Sequence, residues 1–387
     1  MGSNVMIYAA ATLLACLAAF AYERRREWRW LMAIAAVPLL AVAAMRWNVG
    51  TDFRLTYLPE YRALEQVRGT RTPPRKVKAF TYLAKRHRFG RTPQRVCEKF
   101  KKVLHRSEPA YRLLMEGALY SGLGFRAVIA VCALITTACV FFAIFRFSRW
   151  PTLATFLYVA TGSYFLSLNI MRQYVAIGIG LLAVTFVTDR KPWRFLLCVA
   201  VATTFHYSAV LLLPLYVLSR KELHPRHCID IIAVSIALSF VAAPVAHGAL
   251  SLVGSEYAKY FSSKLAADGF EWLFFTINCC FLAMGAWYWR GAVAGNKYFA
   301  VWYGMTVLGT AALAFSGAIP LMKRVNYYYA APQFLMLPEI LLAEGNRRRR
   351  WALTALVVIA FIAETAVSIY IFNKNGVLPY RWESSGW

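Results

Sequence analysis

Apolar stretches long enough to cross a membrane recur from one end of this chain to the other, and that recurrence excludes a water-soluble fold. Read as spans of roughly 17–25 residues, they fall at 5–22, 31–47, 123–145, 151–169, 173–188, 229–250, 272–289, 298–316, 329–344 and 352–372. The expected fold class is an all-α polytopic membrane protein, a single integral membrane domain over residues 1–387. The stretch Val5 to Tyr22 has no cationic leader and no small-residue cleavage site, so it reads as a retained span. No internal repeat and no attached soluble domain is evident.

Residues 194–219 do not fit this series. They suffice for one tilted span or for two half-length helices bent at His206, and a twelve-residue helix rises only about 18 Å against a hydrocarbon core of about 30 Å. Charge decides between the two. Basic residues cluster at Arg24 to Arg29, Arg146 and Arg149, Arg190 to Arg194, Arg220 to Arg226, Arg290 and Lys297, and Arg347 to Arg350. The positive-inside rule puts such loops in the cytoplasm. All six share one side only if 194–219 enters and returns as a short broken hairpin. About twelve membrane segments follow, with both termini outside and the bend at His206 at membrane depth facing a protein-lined cavity.

The opposite-side loops are poor in basic residues except for 48–122, a long external loop with 17 Lys and Arg against 6 Asp and Glu. Loops of that length escape the positive-inside rule. Within it Val77, Phe80 and Leu83, then Val96, Phe100, Val103 and Leu104, recur at helical spacing among basic residues. Two amphipathic helices on the outer leaflet or over the site are expected, against the plainer reading of a solvated charged loop. The net charge of +26 comes without any nucleic-acid module, so membrane lipids, diphosphates or acidic glycans are the expected partners and nucleic acid is not. The eight cysteines are scattered without metal or disulfide spacing and read as small core residues.

The chain holds four aspartates and no Asp-x-Asp pair, Gly-rich phosphate loop, nucleophile elbow or His-based metal motif. The polar residues that stand out instead are Arg46, Asp52 and Tyr57 after the second span, then Glu108. Asn169, Arg172 and Gln173 follow in a hinge between two spans, and after them come His206 at the hairpin bend and Arg324 and Tyr327. Each has a plainer reading. An arginine at a span end is commonly a snorkelling anchor, which covers Arg46. A histidine on an apolar face is commonly a hydrogen-bonded core residue, Asp52 would cap a turn after Gly50, and the tyrosines at 327–329 would join an interfacial belt. Arg172 resists that treatment, because a hinge gives it little freedom to snorkel.

Taken in order, Val49-Gly50-Thr51-Asp52 with Tyr57, the Asn-x-x-Arg-Gln hinge at 169–173, Phe205-His206-x-Ser208-Ala209 and the closing Leu378-Pro379-Tyr380 resemble the EpsG family of bacterial exopolysaccharide polymerases. These are relatives of the Wzy-type O-antigen polymerases. The resemblance covers nearly the whole chain, and the long basic stretch at about 65–106 departs from it. It implies a multi-pass glycosyltransferase of the bacterial inner membrane whose active site faces the periplasm or exterior. The implied reaction moves a glycan from a polyprenyl (undecaprenyl) diphosphate to a hydroxyl of another lipid-linked repeat unit.

On that reading Arg172 and Arg324, with Arg46 next, stabilise the departing diphosphate. His206 is the first choice of general base, with Asp52 or Glu108 as alternative base or sugar ligand. Asn169, Gln173, Tyr327 and Tyr57 orient substrate. No metal and no cofactor is required, and other polysaccharide export proteins are further partners. Two other functions use a similar cationic site: a ligase passing finished glycan to a different acceptor, and a flippase for the lipid-linked unit. A flippase would be expected to show paired broken helices, and only one broken hairpin is evident.

Overall fold

A computed structural model describes residues 2–67, 107–218, 224–252, 269–319 and 321–382, and every regular element in them is helical. In chain order these are α1 (Gly2–Arg24), α2 (Trp30–Met45), α3 (Leu58–Val67), α4 (Pro109–Tyr120), α5 (Phe125–Phe147), α6 (Pro151–Ala160), α7 (Ser163–Asn169), α8 (Met171–Thr188) and α9 (Pro192–Phe205). They continue as α10 (Leu213–Leu218), α11 (Pro225–Leu252), α12 (Trp272–Trp287), α13 (Trp289–Gly295), α14 (Phe299–Ala314), α15 (Met322–Ala330), α16 (Gln333–Leu342) and α17 (Arg347–Ala366). The amphipathic helices expected around Val77–Leu104 lie outside the described residues.

Most expected spans coincide with helices, and where they do not a local cause is visible. The span expected at 151–169 breaks into α6 and α7 at Gly162, whose φ of +80° lies in the left-handed region. The span expected at 329–344 divides into α15 and α16 at Pro332, which has no amide hydrogen to donate. The last helix begins at Arg347, earlier than expected, because the Asn346 side chain accepts the amides of Arg348 and Arg349 at 2.9 and 3.2 Å. By length and composition five of the described helices can cross a membrane alone, and the α12–α13 pair, bent by 81°, would make a sixth. The remaining apolar helices are shorter.

Residues 192–218 form the expected hairpin. α9 ends at His206, whose extended backbone (φ −156°, ψ 114°) opens the turn into a 3-10 helix, Tyr207–Leu212, and then α10. Phe195 and Tyr216 lie with ring centroids 5.3 Å apart, whereas 21 residues of unbroken helix would separate them by about 31 Å.

The hairpin lets the basic loops meet. Arg26 donates to the Arg149 carbonyl, and Glu23 accepts from the Thr152 hydroxyl. Trp150 packs edge-on against Trp351, Lys297 pairs with Asp189 at 3.0 Å, the His224 ring lies tilted beside Trp289, and Tyr288 bonds Glu344. One end of the molecule therefore carries the turns near residues 24–29, 146–152, 189–191, 224, 288–297 and 344–351. The opposite end gathers residues 46–67, 107–123, 169–173, 206–208 and 376–382.

Between the ends, packing follows the rules for helices in lipid, where water does not drive association and close backbone approach does. Ala11, Ala15 and Ala19, spaced four apart, form a buried small-residue stripe on α1, while Leu13, Leu14 and Leu17 face outward. A separate aromatic cluster of Trp47, Phe53, Tyr57, Tyr61, Tyr111 and Phe125 caps the second end.

Single cysteines at Arg29 and Arg348, in a background without native cysteines, will react with an impermeant thiol reagent from one side of the membrane only, and cysteines at Ser121 and Lys374 from the other. Reaction of all four from the same side would overturn the arrangement.

Candidate active site

The capped end is built outward from the hinge. Ile170 interrupts the helix (φ −95°, ψ 59°), so Asn169 closes α7 while Arg172 and Gln173 occupy the first turn of α8. The Asn169 side-chain oxygen accepts from the Thr51 hydroxyl at 3.0 Å and from the Asp52 amide at 2.9 Å, which docks the 49–52 segment on the hinge. Gly50 makes that approach feasible. Its φ is +95°, and a Cβ there would stand 2.8 Å from the Leu168 carbonyl oxygen. The C-terminal segment closes over the same point: the Gly50 amide donates to Gly376, the Trp47 amide to Arg381, and the Tyr8 and Tyr380 hydroxyls donate to Val377 and Val42. The four sequence signatures named above thus meet at one end of the fold.

Arg172 lies at the centre. Its guanidinium sits between the Tyr57 and Tyr111 rings, 5.2 and 4.9 Å from their centroids. It donates to Glu108 Oε2 at 2.8 Å and lies 3.4 Å from Glu60 Oε2. The other Glu108 oxygen meets His206 Nδ1 at 2.8 Å. Glu60, Arg172, Glu108 and His206 form one connected chain, and side-chain exposure is lowest at Glu60, 4%, and highest at His206, 22%. The chain opens toward solvent at the histidine. With Nδ1 donating to the carboxylate, Nε2 of His206 is left as an acceptor.

Charges at this site shift one another. Burial pushes the Glu60 carboxyl up to about 7 against the pull of Arg172, assisted by the Glu108 and Asp52 charges. Burial alone would also raise Glu108, but its bond to His206 and the charge of Arg172 reverse this and hold it below the usual carboxylate range. Asp52 is raised by burial against the nearby charges of Arg324, Arg172 and His206, which puts it in the same electrostatic group.

Arg324 comes to the site on α15, which is held from both sides. Gln173 donates to the Arg324 carbonyl at 2.7 Å, Tyr328 bonds Ser208 at 3.0 Å, and the Tyr329 hydroxyl donates to Leu211. On the far face Asn326 accepts from Asn278, which in turn accepts from Gln333. Lys323 pairs with Glu271 at 2.9 Å, whereas the exposed Arg324 guanidinium has no described carboxylate within ion-pair distance.

Two expected residues are placed elsewhere. Arg46 is buried beneath the site, donating to the Ala43 carbonyl and lying 3.4 Å from the Met171 sulfur. Tyr327 packs beside Phe274. Sequence reasoning passed over Glu60, which lies 112 positions from the arginine it faces and has no motif around it. Among the described residues no three His, Cys, Asp or Glu side chains are grouped to hold a metal ion.

The fold and site define a polytopic helical membrane protein with a cationic, histidine-bearing polar cluster at one end. The chain belongs to the EpsG family, whose family model matches residues 29–382, and is thereby a membrane protein of the exopolysaccharide polymerase type. No curated protein and no solved structure matches it.

Gly50→Ala will destabilise the detergent-solubilised protein by more than about 1 kcal/mol, since an L-residue is strained at positive φ, and a melting midpoint equal to wild type would contradict the docking described. A second expectation concerns pH. From 4.5 to about 7 the unfolded chain ionises Glu60 while the folded chain keeps its proton, so this group makes stability fall as pH rises through that window. Glu108 acts in the opposite sense, contributing stability that is lost as pH drops below the usual carboxylate range. Glu60→Gln will flatten the fall toward pH 7 in midpoint-versus-pH curves and leave the acid limb in place.

Proposed function

We propose that this chain is a polysaccharide polymerase that transfers a polyprenyl-diphosphate-linked glycan onto a hydroxyl of a second lipid-linked repeat unit. The observation that carries this reading is the Arg172–Glu108–His206 chain standing beside Arg324, which has no carboxylate partner among the described residues. The acceptor oxygen attacks the anomeric carbon, and the bond from that carbon to the diphosphate oxygen breaks. The hydroxyl proton passes to His206 Nε2, and the diphosphate leaves with the bonding electrons. Glu108 orients the imidazole through Nδ1 and stabilises the imidazolium that forms.

The two arginines take different parts. Arg324 is exposed and has no carboxylate partner among the described residues, so it is the cation that meets the diphosphate with least competition. Arg172 is already held by two carboxylates and two rings, and it fixes Glu108 while adding positive field at close range. Protonation of Glu60, favoured below about 7, frees part of that field for the leaving group. Asp52, within the field of Arg324, Arg172 and His206, serves to bind sugar hydroxyls, and Tyr57, Asn169 and Gln173 act by positioning Arg172, the 49–52 segment and α15. Arg46 supports the hinge from below through Met171.

The chain has about twelve segments in the bacterial inner membrane, the two halves of the hairpin among them, with the basic loops cytoplasmic and this site facing the periplasm or exterior. The clustering of the basic turns at the end away from the site supports that orientation.

His206→Asn will lower turnover by about 100- to 10,000-fold, the range for loss of a general base, with little change in binding of the lipid diphosphate; unaltered turnover removes His206 from the role. Arg324→Ala will cost about 100- to 1,000-fold and Arg324→Lys less. The measurement is product formation by purified protein from lipid-linked repeat units. Ladders of product identify a polymerase, one transfer to an unrelated acceptor a ligase, and transbilayer movement without transfer a flippase.

A further inference from the structure

Starting from the end opposite the site, α17 leans against α6 at two points. Trp351 meets Trp150 with centroids 5.5 Å apart, and the Thr365 hydroxyl donates to the Ala160 carbonyl. Between these contacts α1, α6 and α17 leave a cleft of about 810 Å³, within the range of about 300–1,000 Å³ common for ligand pockets. Its walls are apolar, with Cys16, Leu153, Phe156 and Val358, and its mouth carries Arg24, Arg347 and Arg350.

Three features of the mouth favour an anion. None of these arginines forms an ion pair with a described carboxylate. The one acid in the lining, Glu23, is taken up by the amide and hydroxyl of Thr152. The mouth also lies at the start of α17, where four consecutive arginines and no acid occupy the first turn, and the nearby Glu344 carboxylate is taken up by the Asn346 amide and the Tyr288 hydroxyl. Helical geometry sorts those four. Arg347, Arg350, Trp351 and Val358 share the face lining the cleft, and Arg348 and Arg349 do not line it.

We propose that this cleft is a binding site for one anionic glycerophospholipid, its phosphate held by Arg24, Arg347 and Arg350 and an acyl chain lying along the apolar walls. Cations at headgroup level above an apolar groove at hydrocarbon depth match that ligand at both ends, where a free phosphate would use only the mouth. The site is separate from the polar cluster around Arg172, and the proposal does not depend on the reaction assigned to that cluster.

The test is native mass spectrometry of the purified full-length protein titrated with phosphatidylglycerol or phosphatidylcholine. Wild type will retain phosphatidylglycerol in preference. The pair Arg347→Gln and Arg350→Gln will weaken that retention about thirtyfold, while Arg348→Gln with Arg349→Gln, the same charge change in the same turn, will leave it within about twofold. Val358→Trp, which fills the groove and keeps every charge, will also weaken it, with size-exclusion profiles confirming that each variant stays folded. Equal retention of the two lipids, equal effects of the two arginine pairs, or no effect of Val358→Trp would each overturn the proposal. So would displacement of phosphatidylglycerol by an equimolar polyprenyl phosphate.

Discussion

The Glu108 carboxylate joins the two halves of the polar end. One oxygen holds Arg172 and the other holds His206, so a single side chain couples the hinge before α8 to the bend of the hairpin. Neither partner is placed by its own segment alone. A guanidinium and an imidazole brought together without an anion between them would repel when both are charged, and removing one member of a buried ion pair commonly costs about 3–5 kcal/mol because the other is left uncompensated. Glu60 adds a second anion on the buried side, and its raised carboxyl keeps the cluster from carrying a full extra negative charge near neutral pH.

Several other cations of the molecule are paired with acids away from this cluster. Lys323 is taken by Glu271, Arg149 by Glu339 at 2.5 Å, and Lys297 by Asp189. Behind α15 the Asn278 amide donates to Asn326 and accepts from Gln333. Arg324 therefore stands out as a site cation with no described carboxylate partner, on a helix braced on both faces. For the proposed reaction, rigidity at that position would matter, since donors already aimed need no reorganisation as charge develops.

Much of the architecture could be read from residue order. Apolar run lengths located most helices, and the count of basic loops required a fold-back at 194–219 that the Phe195–Tyr216 contact displays. Helix ends were less legible. Gly162, Pro332 and the Asn346 cap moved or broke elements through local backbone chemistry that hydropathy does not register. The hinge at 169–173 was visible as a polar interruption, yet the structure narrows it to Ile170 and gives Arg172 a helical turn to stand on.

What the sequence determined by itself is the class of molecule, the positions of most apolar helices and the set of polar residues retained among apolar ones, because hydrocarbon penalises every such residue locally. What only the tertiary structure decided is the pairing within that set. Glu108 lies 64 residues from Arg172 and 98 from His206, and no spacing rule spans such distances. The fold made Glu108 a bridge, placed Glu60 beside Arg172, sent Arg46 beneath the site and left Arg324 open, because ion pairing depends on distances of a few ångströms that only packing sets.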